Sequence, residues 1–517
     1  MWNLDLNKVI EQLYYNPNAP LIFNSGVFLW LFLFFITIYQ FIYKHHRLKV
    51  YFLTAFSVYF YYKSSGFYFL LLLLSTVVDF YLAKWIYEAK TPKHKKQLLI
   101  ISLIANLGML GYYKYTNFLL ENIYTLFQQP FEPLDIFLPV GISFFTFQSL
   151  SYTIDVYRGS LKPLDEIIDY AFFVSFFPQL VAGPIVRASD FIPQISRTPF
   201  VSKEMFGRGI FLVATGLFKK AVISDYISTN FADRIFDNPT LYTGLENLFA
   251  IYAYALQIYC DFSGYSDMAI GIALLLGYEF CINFDSPYQS ASITEFWRRW
   301  HISLSSWLRD YLYIALGGNR HGKIRTYINL MLTMLLGGLW HGAAFRFILW
   351  GALHGAALAM HKFFLDIRKA AMRNKNNIAE TATPVAAPLP TNTNAIHIAA
   401  NTAWHWAGVF LTFHFVCFCW IFFRASDMQI AKQVIDQILF HFNGQIFAEF
   451  TAGYHKVLWL MAAGYILHFA PKSYEKSAEE WVTQQPFLLK IFVLLLVVIL
   501  VMQVKSSEIQ PFIYFQF

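Results

Sequence analysis

The sequence predicts an all-α polytopic membrane protein, and two observations carry that expectation. The first is composition. Of 517 residues, 57% are hydrophobic and 20% aromatic, but only 14% are charged, against about 25% in a soluble domain. Mean hydropathy is +0.44. The second is pattern: apolar runs recur that approach the roughly 20 residues a helix needs to span about 30 Å of hydrocarbon. No soluble-looking stretch is long enough to stand apart, so a single membrane domain over 1–517 is expected.

In chain order, residues 2–15 alternate apolar and polar positions, which suits a helix lying at the interface. Residues 1–20 therefore read as an interfacial N-terminal helix. The basic start and small-residue cleavage site of a signal peptide are lacking, so the first span, 21–43, is an uncleaved anchor. Segments 50–62 and 67–86 read as a helical hairpin. Its basic flanks, 44–49 and 84–96, fall on one side, the cytoplasmic one by the positive-inside rule.

A fourth span covers 98–113, with a polar interfacial connection to Pro133. Segment 138–154 carries Ser143, Thr146 and Gln148 and belongs inside a bundle. Segment 170–186 holds Pro178, Gly183 and Pro184, which predicts a broken helix surrounded by protein or a cavity. Segment 209–223 is apolar until Lys219 and Lys220, which read as snorkelling to headgroups or meeting an anionic ligand. Segment 242–276 predicts two helices broken near Asp261-Phe262-Ser263-Gly264.

Beyond a central stretch, 293–345, lie apolar segments 327–339 and 347–365. Residues 368–402, with Lys, Asn, Thr, Ala and three prolines, read as a flexible cytoplasmic loop. Segments 403–423, 457–469 and 486–504 complete about eleven to thirteen tilted transmembrane or re-entrant helices. The aromatic tail from Gln510 to Phe517 is expected to pack against the body. Net charge is +7, but it gathers in short loops as topology requires, so nucleic acid is not an expected partner. Cys260, Cys281, Cys417 and Cys419 lie in or beside apolar runs without zinc-finger spacing, so they read as packing residues with no metal role.

An ionisable group at mid-membrane costs about 3 kcal/mol and needs a partner, a wet cavity or a function. Asp261 and Asp267 read as capping and structural hydrogen-bonding groups. His405 and His414 stand in an aromatic helix and read as satisfied interior histidines. His354 follows His341 by thirteen residues, about 20 Å along one straight helix, and reads as structural.

His341 differs, because Gly337-Gly338 and Gly342-Ala343-Ala344 let a helix or a thin acyl chain approach. An imidazole can take a proton from a hydroxyl near neutral pH. There is no Gly-x-Ser-x-Gly elbow and no His-Glu-x-x-His pair. A general base acting on an incoming hydroxyl is therefore the chemical reading; a packed helix-terminal histidine is the plain one. Forty residues earlier, His301 stands among Arg298, Arg299, Arg309, Trp297, Trp300 and Trp307. Arginine forks suit phosphates and tryptophan faces suit an adenine ring or the membrane interface. A positive-inside amphipathic helix explains the same residues.

The pattern Phe296-Trp297-Arg298-Arg299-Trp300-His301-Ile302-Ser303-Leu304, then Trp307-Leu308-Arg309-Asp310-Tyr311, Gly317-Gly318-Asn319-Arg320 and Gly338-Leu339-Trp340-His341-Gly342 resembles the membrane-bound O-acyltransferase (MBOAT) family. It is nearest the alginate O-acetyltransferase AlgI and peptidoglycan O-acetyltransferase PatA branch. Phe177 to Ile185, Tyr259 to Asp267 and the tail extend the likeness over nearly the whole chain. The resemblance implies a ring of helices around a central funnel or tunnel, with His341 and His301 as catalytic histidines. It also implies acetyl-CoA as cytoplasmic donor, with no permanently bound cofactor.

On this reading Arg298, Arg299, Trp300, Arg309 and Trp340 bind the donor. A separate periplasmic or membrane-tethered partner with a serine nucleophile places the acetyl group on a polysaccharide, and the enzyme sits in a bacterial inner membrane. Two alternatives stand beside it: a D-alanyl transferase of the teichoic-acid type, and a passive acetyl conduit.

Overall fold

The computed structural model describes residues 10–17, 19–381, 393–504 and 512–513, the side chains of 372–401 excepted. Residues 1–9 of the expected interfacial helix lie outside this set. Among the described residues the regular elements are all helical. Five stretches are long and apolar enough to cross a membrane: His46–Glu88, Pro92–Leu126, Phe345–Ala371, Thr402–Arg424 and Phe487–Val504. Gly26–Ile42 is a shorter apolar helix. This is a polytopic helical membrane protein. The chain packs as two compact units.

The first unit comprises described residues of 1–230, 256–282 and 471–517. Ser25 caps the first helix by accepting from the Phe28 amide at 3.2 Å. Gly66, with φ +62°, redirects the chain between His46–Ser65 and Phe69–Glu88. Pro92–Leu126 starts on a Thr91 cap with Pro92 in the first turn. It runs well past the expected end near 113, because no glycine or proline interrupts 114–126. Asp79, buried in a span, accepts from Ser102 Oγ at 2.7 Å and Asn106 Nδ2 at 2.8 Å, donors that replace the water it lacks.

Ile142–Arg158 is buried almost all round, Ser143, Thr146 and Gln148 included, as their polarity predicted. The expected break is present: Ile167–Ser175 stops at Phe176 and a short turn, Phe177–Leu180, follows.

Two expectations are corrected here. Gly244–Leu275 is one unbroken helix, of which residues 256–275 belong to this unit. Its Gly264 is a crossing point, since a Cβ there would lie 2.8 Å from the Gly216 carbonyl oxygen and 3.1 Å from the Lys220 nitrogen. Lys219 and Lys220 do not snorkel. Lys219 Nζ meets Asp267 Oδ2 at 2.7 Å, and Lys220 Nζ meets Asp225 Oδ1 at 2.7 Å and also Asp261 Oδ1. A π-helical turn, Phe218–Ser224, carries both lysines past these carboxylates, and opposite charge close by outweighs distant headgroups. The tail does pack on the body where it is described: Ile513 N donates to Asp261 Oδ2 at 2.9 Å, and Phe512 lies on Phe262 and Tyr265.

The second unit comprises described residues of 231–255 and 283–470. Gly322–His341 and Phe345–Thr381 pack tightly. A Cβ on Gly338 would overlap the Phe347 carbonyl oxygen, and one on Gly351 would overlap that of Met334. The small residues thus serve helix contact. The loop expected from 368 is corrected: the helix continues to Thr381 and the next, Thr393–Arg424, already covers 393 onward. Residues 368–381 contain neither glycine nor proline and are rich in alanine, lysine and arginine, which favour helix. The remainder of that expectation, 382–392, lies outside the described residues.

Candidate active site

The approach to His301 begins with a capped helix. Ser292 accepts from the Glu295 amide at 3.3 Å, and the Glu295 carboxylate reaches back to the Ala291 amide at 3.0 Å, a reciprocal arrangement of the capping-box kind. The helix Ile293–Arg299 is thereby fixed at its start, and it ends at Trp300. His301 then takes φ +43°, ψ +56°, the left-handed region that non-glycine residues seldom adopt.

Asn283 holds this conformation. Its carbonyl oxygen accepts from the Ile302 amide at 2.9 Å. Its side-chain Oδ1 accepts from the Ser303 amide at 3.2 Å and Ser303 Oγ at 2.9 Å, and lies 3.1 Å from His301 Nδ1. An oxygen that accepts from a backbone N–H is an acceptor, so His301 Nδ1 carries the proton facing it. Nε2 then presents its lone pair. Burial pushes the His301 imidazole down to about 3, so it is neutral across the physiological range.

His341 is the last residue of its helix, where the helix dipole favours positive charge. Its ring lies 5.0 Å from Trp340, 5.1 Å from Trp350 and 5.2 Å from Phe423. Trp340 is in turn 6.1 Å from the His301 ring. One indole therefore neighbours both imidazoles, and both histidines are buried.

His354 is nearer this group than a straight helix would allow. The helix ends at His341 and a new one begins at Phe345, and His354 and His341 flank the same Trp350 ring, at 4.7 and 5.1 Å. Trp297 Nε1 donates to His354 Nδ1 at 3.3 Å. His405 is exposed, contrary to the interior position expected; a span facing lipid explains it. His414 is half-buried and donates from Nδ1 to the Phe410 carbonyl oxygen at 2.8 Å.

The five residues expected to bind a donor fall in different settings. Arg298 is exposed. Arg299 pairs with Glu295 at 2.7 Å and donates to the Asp285 carbonyl oxygen at 3.3 Å. Arg309 pairs with Asp310 at 2.6 Å on an open surface. Trp300 is buried against Phe284, Phe296 and Trp420, and Trp340 is buried beside both histidines. The structure thus gathers His301, Trp340 and His341, with Trp300 in the aromatic layer beneath. Asn283, Trp350 and Phe423 complete the surroundings and were not singled out from the sequence.

A buried pair of imidazoles suits proton transfer to and from an oxygen nucleophile. Residues 163–386 match the membrane-bound O-acyltransferase (MBOAT) family, and the chain belongs to it; it is an O-acyltransferase. It is 42% identical over 426 residues to the probable alginate O-acetylase AlgI of Pseudomonas aeruginosa, covering 80% of this chain and 74% of that one. It is 36% identical over 448 residues to the peptidoglycan O-acetyltransferase of Helicobacter pylori, covering 80% and 79%. A teichoic acid D-alanyltransferase of Bacillus subtilis is 29% identical over 298 residues, 56% of this chain and 69% of that one.

Proposed function

We propose that the enzyme transfers acetyl groups from cytoplasmic acetyl-CoA, across a bacterial inner membrane, toward O-acetylation of an envelope or extracellular polysaccharide such as alginate or peptidoglycan. The observation that carries this reading is the His301–Trp340–His341 group, with His301 fixed as a neutral Nδ1–H tautomer by Asn283. His341 takes the proton of the acceptor hydroxyl as its oxygen attacks the thioester carbonyl; the C–S bond breaks and coenzyme A leaves, reprotonated, as the thiol. The imidazolium formed meanwhile lies at the carbonyl end of its helix. His301 Nε2, an acceptor, orients that hydroxyl; without a proton it has nothing to donate to a carbonyl.

Arg298, with Arg299 and Arg309, contacts the donor's phosphates, while Trp300 and Trp340 shape the site from within. A serine-dependent partner on the far side receives the acetyl group and passes it to the polymer.

Higher identity to O-acetylating relatives than to the D-alanyl transferase favours acetyl over D-alanyl. Supplying membranes containing the protein with labelled acetyl-CoA or a labelled D-alanyl carrier tests this. Acetyl label in an acceptor ester is the expected result. Incorporation of D-alanine alone would overturn it, and label crossing without ester formation would make the protein a conduit.

A further inference from the structure

A cavity of about 580 Å³ in the first unit lies well outside the histidine-bearing stretch. It forms where the polar helix Lys472–Gln484 meets the membrane-spanning Phe487–Val504. That junction marks the depth of the lipid headgroups, and Trp481, exposed on the polar helix, is the side chain expected at that depth. Close packing fixes the walls: a Cβ on Gly207 would lie 2.5 Å from Thr483 Cα, and Phe206 stacks on Phe487 at 5.5 Å.

Two lysines line this cavity, Lys203 at its exposed rim and Lys490 within. Lys490 is 3% exposed. Among the described residues its ammonium makes no hydrogen bond or close ion pair; it lies 5.7 Å from the Phe206 ring centroid, and the Glu204 carboxylate acts on it from farther off. A buried ammonium with no carboxylate in direct contact is costly unless an anion joins it. The nearby Glu204 is held below the usual carboxylate range mainly by its own backbone amide and Ser202, and to a lesser degree by Lys203 and Lys490. Ile36, Leu275 and Phe487 supply apolar wall, and Gln40 supplies a side-chain amide beside it, while Gln485 Nε2 donates to the Trp481 carbonyl oxygen at 3.0 Å.

We propose that this cavity binds a single anionic phospholipid, its phosphate between Lys203 and Lys490 and an acyl chain along the apolar wall. A phosphate group is the shared chemistry of a lipid and of the free ion. The apolar wall and the headgroup depth favour the lipid.

The test uses full-length protein in phosphatidylcholine nanodiscs containing a minor fraction of phosphatidylglycerol, with the lipid retained after detergent extraction identified by mass spectrometry. Wild type should retain phosphatidylglycerol in preference to phosphatidylcholine. Lys490→Gln and Lys203→Gln should each lower that preference about five-fold. Lys203 is exposed, so its variant folds whatever Lys490→Gln does, and unchanged retention in Lys203→Gln alone overturns the two-lysine site. Equal retention of both lipids by wild type, or displacement of phosphatidylglycerol by excess inorganic phosphate, overturns the lipid assignment.

Discussion

Replacing Asn283 by alanine removes one buried oxygen that serves three donors: His301 Nδ1, the Ser303 amide and Ser303 Oγ, at 3.1, 3.2 and 2.9 Å. Each net hydrogen bond contributes about 1 kcal/mol, and a donor left buried and unsatisfied costs about 1–3 kcal/mol. Ser303 Oγ can turn toward His301 Nδ1, 3.4 Å away, and recover part of this. The expected destabilisation is therefore about 2–4 kcal/mol, while the bond from the Ile302 amide to the residue-283 carbonyl oxygen is retained. Once the tautomer is no longer imposed, Nε2 spends part of its time as a donor, and turnover should fall roughly 10–100-fold, as when an orienting partner is lost elsewhere.

The assay pairs thermal unfolding in detergent with acetyl transfer in membranes. Asn283→Asp, which keeps the acceptor, should fold better than Asn283→Ala. An alanine variant with wild-type stability and turnover would refute the orienting role.

Gly338→Ala should cost about 1–3 kcal/mol by overpacking and lower transfer, because the obstructing atom is the Phe347 backbone oxygen and the shift carries His341 with it; melting curves and activity together check this. Lys220→Met should cost about 3–5 kcal/mol by leaving Asp225 and Asp261 unpaired in the interior. Adding Asp261→Asn should recover part of that loss, and an additive double mutant would contradict the coupling. The lowered His301 value means the unfolded chain binds a proton below about pH 6.5 that the folded chain refuses until about 3. Stability from this group is present above pH 6.5 and lost as pH falls, by up to about 1.4 kcal/mol per unit. His301→Gln should flatten the acid limb of the stability profile, and an unchanged limb would contradict the burial.

The helical membrane class and the five long apolar stretches were legible in the sequence because hydropathy is a local signal, and the stretches around His301 and His341 because short motifs are. What escaped depends on partners distant in the chain. Asn283 lies eighteen residues before His301, and nothing in its neighbourhood marks it as the group that turns an imidazole. Gly264 looked like a helix break because glycine has two uses, flexibility and close approach, and only the Gly216 backbone opposite it decides between them. Lys219 and Lys220 looked like snorkelling residues because their carboxylates, Asp261 and Asp267, stand on another helix some forty residues on. His354 lies nearer His341 than their spacing along one straight helix implies, because one helix ends at His341 and another begins at Phe345. Trp300 and Trp307, expected to face an adenine ring or the interface, are buried, because indole burial outweighs its single polar atom.

The measurement that bears most directly on the acyl-transfer account is ester formation from labelled acetyl-CoA in reconstituted membranes, wild type against His341→Ala. General-base assistance contributes about 10²–10⁴-fold, so the variant, inserted and folded as judged by its elution profile, should lose transfer by at least about a hundred-fold. Equal ester formation by both proteins would contradict the account and leave His341 a packing residue at the end of its helix.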